Sequence, residues 1–164
     1  MYLGLPTVIG KSKKQVFNFI KDRVWKKLKG WKESLLSCAG REILIKSVVQ
    51  AIPAYVMSCF KIPARICNEI QAMINRFWWS NDADKRKIHW ISKEDLCKSK
   101  FKGGMGFRNL EFFNIALIGK QCWRLAKCKD SLLHSVFNGI YFPNFYFSKP
   151  KLVIIAPMFG VAFS

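Results

Sequence analysis

After Gly10-Lys11-Ser12, the apolar residues Val16, Ile20, Val24 and Leu28 recur at every fourth position. That spacing lays one apolar stripe along a helix, and Gly30 is its natural stop. A second helical stretch is expected from about Gly40, where Ile43, Leu44, Ser47, Val48 and Ala51 share a face until Pro53 bends or breaks it. Tyr55 to Phe60 resumes the helix. Pro63 then opens a third one, with Ile66, Ile70, Met73, Ile74 and Phe77 on its apolar side and the pair Trp78-Trp79 at its end.

Between Ser80 and Lys87 the apolar pattern stops, and Asn81-Asp82-Ala83-Asp84-Lys85-Arg86-Lys87 reads as an exposed loop. Short extended pieces are expected at Tyr2 to Leu5, ended by Pro6, and at Ile88 to Ile91. Ser92 is placed to cap a turn of helix through Leu96, and Gly103-Gly104-Met105-Gly106 reads as a flexible connector. Helical periodicity returns from about Asn109 to Leu125 and from Ser131 to Tyr141. The fold class is therefore mainly α, with one or two short strands, and the chain contains neither internal repeat nor low-complexity tract.

Composition changes this picture in one respect. Of the 164 residues, 28 are Lys or Arg and 10 are Asp or Glu, a formal charge of +18, while 51% are hydrophobic and 15% aromatic. The hydrophobic share supports a packed core, and the charge is far beyond what solubility needs, so a polyanion is the expected partner. The first fifty residues are the most basic, with 11 cationic and 3 acidic side chains. Lys26, Lys27, Lys29 and Lys32 flank Gly30-Trp31, and Arg41 and Lys46 follow. Cations interleaved with an indole suit phosphate contacts and base stacking, and these seven residues are the candidate nucleic-acid-binding set. The competing reading is a solvated helix face whose lysine stems cover apolar surface.

The search for chemistry gives mostly negative answers. Two-metal nucleotidyl transfer needs carboxylates that converge on ions about 4 Å apart. Asp82 and Asp84 are the nearest pair, and no apolar strand flanks them. His89 with Cys97, and Cys122 with Cys128, lack the paired spacings of a zinc site, so the six cysteines are expected to be reduced and structural. The Gly103 run follows no strand and precedes no Walker lysine. No catalytic residue, metal site, cofactor or small-molecule substrate is expected. Polar residues interrupt every apolar run before a spanning length of about 20 residues, which leaves an intracellular chain with the nucleus among the compartments open to it.

Specific words within the chain narrow the reading. Tyr2-Leu3-Gly4-Leu5-Pro6, Gly30-Trp31-Lys32, Leu36-Ser37-Cys38-Ala39-Gly40-Arg41, Gln50-Ala51-Ile52-Pro53 and Phe77-Trp78-Trp79 occur in that order. Farther on come Lys87-Ile88-His89-Trp90, Gly103-Gly104-Met105-Gly106-Phe107-Arg108, Phe113-Asn114-x-Ala116-Leu117 and Lys120-Gln121-x-Trp123-Arg124-Leu125. In order and spacing these resemble the reverse transcriptase polyprotein of plant LINE-type (non-LTR) retrotransposons, in the segment just after the polymerase palm. Ser99 departs from the pattern, since the family commonly has proline there.

The resemblance implies a fragment of an RNA-directed DNA polymerase. Residues 1–10 would be a remnant of the palm's exit strand, 11–79 a helical thumb-like region, 80–87 an exposed loop, 88–144 a helical connection, and 145–164 a divergent tail. The family's [FY]-A-D-D hairpin precedes the Tyr2-Leu3-Gly4-Leu5-Pro6 segment and is expected to be missing, which leaves a non-catalytic piece whose task is to hold a template-primer duplex. Whether another chain supplies a palm stays open, as do two alternatives. One is a stand-alone basic nucleic-acid-binding module, and the other is a peripheral membrane binder using the amphipathic helix from Lys13 to Lys29.

Past Tyr141-Phe142-Pro143-Asn144 the family continues to a P-S-Y-x-W-R-S-I segment, where this chain has Met158-Phe159-Gly160-Val161-Ala162-Phe163. Codon overlap allows that segment in another frame: Met158-Phe159 must then encode valine, and the next overlaps can encode tryptophan, arginine, serine and isoleucine. A frame shift in the tail is the expectation. Sequencing the locus should yield codons that read Y-V-W-R-S-I in that frame, and codons that do not would refute it.

Overall fold

The computed structural model describes residues 13–31, 36–80 and 90–141. The strand expected at Tyr2 to Leu5, the loop 80–87 except for Ser80, and the tail 145–164 lie outside them. Among the described residues the fold is helical, without strands. The seven α-helices are α1 (Lys13–Gly30), α2 (Cys38–Leu44), α3 (Ala54–Cys59), α4 (Ala64–Ser80), α5 (Lys93–Cys97), α6 (Leu110–Lys127) and α7 (Leu132–Tyr141). Trp90 and Ile91, the described end of the expected second strand, form a bend that leads into the cap of α5.

Helix α4 is the centre of the core. Ile66, Cys67, Ile70, Met73, Ile74 and Phe77 are all buried on it, and so are the polar Gln71 and Asn75, so more than one side of the helix is covered. α1 covers one side with Phe17, Ile20, Val24 and Leu28; of the stripe read from the four-residue spacing, Val16 is only half-buried, and the neighbouring Phe17 takes its place in the core. Each such side chain contributes roughly 1.5–3 kcal/mol when withdrawn from water. α6 covers another side and also packs on α3, with Leu110, Asn114, Ile118, Cys122 and Leu125 turned inward.

The second helical stretch departs from expectation. Ile43 is 64% exposed, and Ser47 and Ala51 are also exposed, whereas Ile45, Val49 and Gln50 are buried. From Ile45 to Val49 the stretch is a π-helical turn, closed by the Gln50 amide donating to the Ile45 carbonyl at 3.0 Å. One extra residue in a turn rotates the buried face away from a strict 3.6-residue reading.

The Gly103 segment is likewise a built turn and not a flexible connector. The Met105 and Phe107 amides both donate to the Leu96 carbonyl, at 3.1 and 3.2 Å, and the Gly106 amide donates to the Lys98 carbonyl at 2.8 Å. A side chain at Gly104 would begin 2.2 Å from the Lys98 oxygen, and Gly103 has a φ of 77°. Both positions thus require glycine. The turn delivers Phe107 into the core edge-on to Trp78, with ring centroids 5.5 Å apart.

Asn114 closes the structure. Its side-chain oxygen accepts from the Ile62 amide at 2.8 Å, and its side-chain nitrogen donates to the Met57 and Phe60 carbonyls at 2.7 and 2.9 Å. One buried amide thereby satisfies three backbone groups, one within α3 and two in its connection to α4. Replacing it with leucine strands those groups, and Asn114→Leu should destabilise the chain by about 3 kcal/mol in urea unfolding, while a loss below about 1 kcal/mol would contradict this role.

Candidate nucleic-acid interface

The outer face of α1 follows from its inner one. With Phe17, Ile20, Val24 and Leu28 committed to the core, Arg23, Lys26, Lys27 and Lys29 are left on the solvent side, all exposed. Among the described residues none of these four cations forms an ion pair, and Arg23 lies over the Phe19 ring at 5.4 Å. Arg23 was not in the sequence-derived set. It stands three and four residues before Lys26 and Lys27, the spacing that puts side chains on one helical face, and that was its signal. Lys27 and Lys29 also lie in the last turn, where cations complement the helix dipole. Lys32 lies outside the described residues.

The other three candidates occupy a different setting, around the C-terminal end of α4. Trp31 is half-buried with its ring 6.2 Å from that of Phe77, so much of the indole expected to stack on bases is used within the protein. Arg41 donates to the Trp78 carbonyl at 2.6 Å and to the Cys38 sulfur at 3.1 Å, with its guanidinium 5.7 Å from the Trp78 ring centroid. Lys46 is 6.0 Å from the Phe107 ring centroid and pairs with Glu42 at 2.6 Å. Through Trp31–Phe77, Arg41–Trp78, Trp78–Phe107 and Lys46–Phe107, the α1 end and α2 meet at one end of the bundle. The two groups of candidates are thus neighbours along the chain with different duties: lysines facing outward, and Trp31, Arg41 and Lys46 engaged in the fold.

Glu42 organises this end electrostatically. It accepts from Lys46 at 2.6 Å and from Lys100 at 2.7 Å, tying the second helical stretch to the turn that precedes Gly103. Hydrogen bonds from Lys100 and then Lys46 hold its carboxyl below the usual glutamate range. Nearby, the half-exposed Asp95 is held low chiefly by Lys98, and then by the Ser92 hydroxyl that caps α5.

The cysteines do not gather. All six are free thiols; Cys67 and Cys122 are buried and Cys59 and Cys97 half-buried, whereas Cys38 and Cys128, at helix ends, are exposed and take no part in the core. Burial pushes the Cys67 thiol up to about 11 and raises those of Cys97 and Cys122. Among the described residues no three His, Cys, Asp or Glu side chains come together, and no helix is long and apolar enough to cross a membrane. Asp82, Asp84 and His89 lie outside the described residues.

A folded-state carboxyl pKa below the unfolded one stabilises the fold above the usual glutamate range, and that stabilisation disappears as pH falls through the depressed value. Glu42→Gln should therefore unfold at lower urea than the parent chain at neutral pH, with the gap narrowing on acidification below the glutamate range. A gap that is the same at both pH values would contradict the two-lysine tie.

Two proteins of Arabidopsis thaliana are similar to this chain. An uncharacterized mitochondrial protein is 42% identical over 95 residues, covering 57% of this chain and 62% of that protein. A protein bearing the name "Putative ribonuclease H protein" is 36% identical over 137 residues, covering 84% of this chain and 22% of that protein. The chain thus spans less than two thirds of either relative, and the second is several times longer than the matched segment. No family model and no solved structure matches the chain.

Proposed function

We propose that this chain is the thumb and connection part of a retrotransposon RNA-directed DNA polymerase, holding a template-primer duplex through its phosphates and carrying no catalysis of its own. The observation that carries the reading is the outward face of α1. Lys26, Lys27 and Lys29, with Arg23 beside them, stand exposed without acidic partners among the described residues, on a chain of formal charge +18. Phosphate contacts from such side chains position a duplex without reading its sequence, which is what a polymerase grip needs.

Two further features support it. The similarity to two plant proteins, one matched over 84% of this chain, is consistent with a retrotransposon-related fragment. α6 exposes Phe112, Ile115 and Trp123 along one side, as expected of a helix that packs on the remainder of a larger polymerase.

The membrane alternative is the weaker one. An interfacial helix inserts its apolar face, and on α1 that face, Phe17, Ile20, Val24 and Leu28, is already packed in the core.

Replacing Lys26, Lys27, Lys29 and Lys32 together by glutamine should flatten the log-log dependence of duplex affinity on salt by about two to four units, since each phosphate contact contributes roughly 0.9 to the slope. Sequence preference should stay unchanged. Titrations of the parent and quadruple variant against a primer-template duplex at several salt concentrations make the comparison, and an unaltered slope would decide against this face.

A further inference from the structure

Alongside the basic face, between α1 and α4, runs an open groove of about 330 Å³. That volume lies at the small end of the range for ligand sites, roughly 300–1,000 Å³, and suits one planar group better than an extended ligand. Trp25, Ala72 and Met73 give it apolar walls. Trp25 is half-buried, and unlike Trp31 and Trp78 it has no ring partner among the described residues. Lys21 and Glu69 close one side through an ion pair at 3.0 Å, and Arg65 also reaches Glu69 at 3.3 Å, which offsets that carboxylate's charge. Arg76 lines the groove with no ion pair among the described residues, and Asp22 is left as an acceptor at the rim.

The helical register connects this groove to the cations outside it. Lys29 stands four residues beyond Trp25, on the same side of α1, and Lys26 is next to Trp25 in sequence. A strand whose phosphates lie along these lysines would pass the mouth of the groove. We propose that the α1–α4 groove receives one unpaired base of the strand held by α1, stacked on Trp25, with the adjoining phosphate at Arg76 and Lys29. This rests on the duplex-holding reading and adds to it a preference for a junction between paired and unpaired nucleic acid. An indole and a cation serve any base, because every base offers a π-face, so the preference is for an unpaired base and not for a sequence.

Three nucleic acids of equal duplex length separate the possibilities: a blunt duplex, the same duplex with a short single-stranded overhang, and one whose overhang is abasic. The abasic overhang keeps the phosphates and removes only the base. The full chain should bind the base-bearing overhang about tenfold more tightly than the abasic one, within the range measured for base–aromatic stacking. Ala72→Phe, which fills the groove, should erase that ratio while leaving affinity for the blunt duplex unchanged. Ala116→Phe, on the exposed side of α6, should preserve it. Should Ala72→Phe fail to fold, 5-iodouracil placed in the overhang of the parent complex gives the second readout, with photo-crosslinking expected on the peptide that contains Trp25. Equal affinity for base-bearing and abasic overhangs, a ratio that survives in folded Ala72→Phe, or crosslinks confined to other peptides would overturn the groove assignment while leaving the duplex reading in place. No binding to any of the three would overturn both.

Discussion

The burial of α4 is the constraint from which the rest of the arrangement follows. Ile66, Cys67, Ile70, Met73, Ile74 and Phe77 point in more directions than one neighbouring helix can cover, so α1, the second helical stretch and α6 are all drawn against it. Close packing leaves little freedom in placing α6, and Asn114 removes what remains by bonding to three backbone groups of α3 and its connection to α4. Once the apolar stripe of α1 is committed to α4, Lys26, Lys27 and Lys29 face outward, while Lys21 reaches Glu69 of α4. The charged surface is in this sense a by-product of how the core is shared.

That division explains why so much charge can be tolerated. A formal +18 on 164 residues works against compactness through self-repulsion. Part of it is absorbed internally, where Glu42 serves two lysines and Glu69 serves Lys21 and Arg65. Another part rests on aromatic faces, with Arg41 over Trp78, Lys46 over Phe107 and Arg108 over Phe113. The cations of α1's outer face form no ion pair among the described residues, and a polyanion is a partner that would relieve their repulsion.

Much of the framework could be read from spacing alone. Most core residues of α1 and α4, the Ser92 cap and the extents of α6 and α7 follow from local periodicity and capping chemistry, because one helix face is fixed by residues three or four apart; Phe17, Cys67, Gln71 and Asn75 were missed, being buried beside that face. The second helical stretch could not be read in this way, since the π turn at Ile45–Val49 departs from the 3.6-residue period on which such a reading rests. The candidate interface divided along the same line. Exposure of Lys26, Lys27 and Lys29 follows from the position of the apolar stripe, whereas the duties of Trp31, Arg41 and Lys46 depend on Phe77, Trp78 and Phe107, which are far away in sequence. An indole beside lysines looks the same in a sequence whether its ring faces a base or a phenylalanine. The α1–α4 groove was illegible for a related reason: Trp25 and Arg76 become neighbours of one space only when two helices pack.

The central claim, that α1's outer face holds the nucleic-acid backbone, can be examined without altering any residue. Acylation of lysines in the full chain, read by mass spectrometry with and without a primer-template duplex, reports each side chain separately. The account predicts that the duplex shields Lys26, Lys27 and Lys29 while Lys127 and Lys129, exposed near the far end of α6, keep their reactivity. Equal labelling of the α1 lysines in the presence and absence of duplex would contradict it.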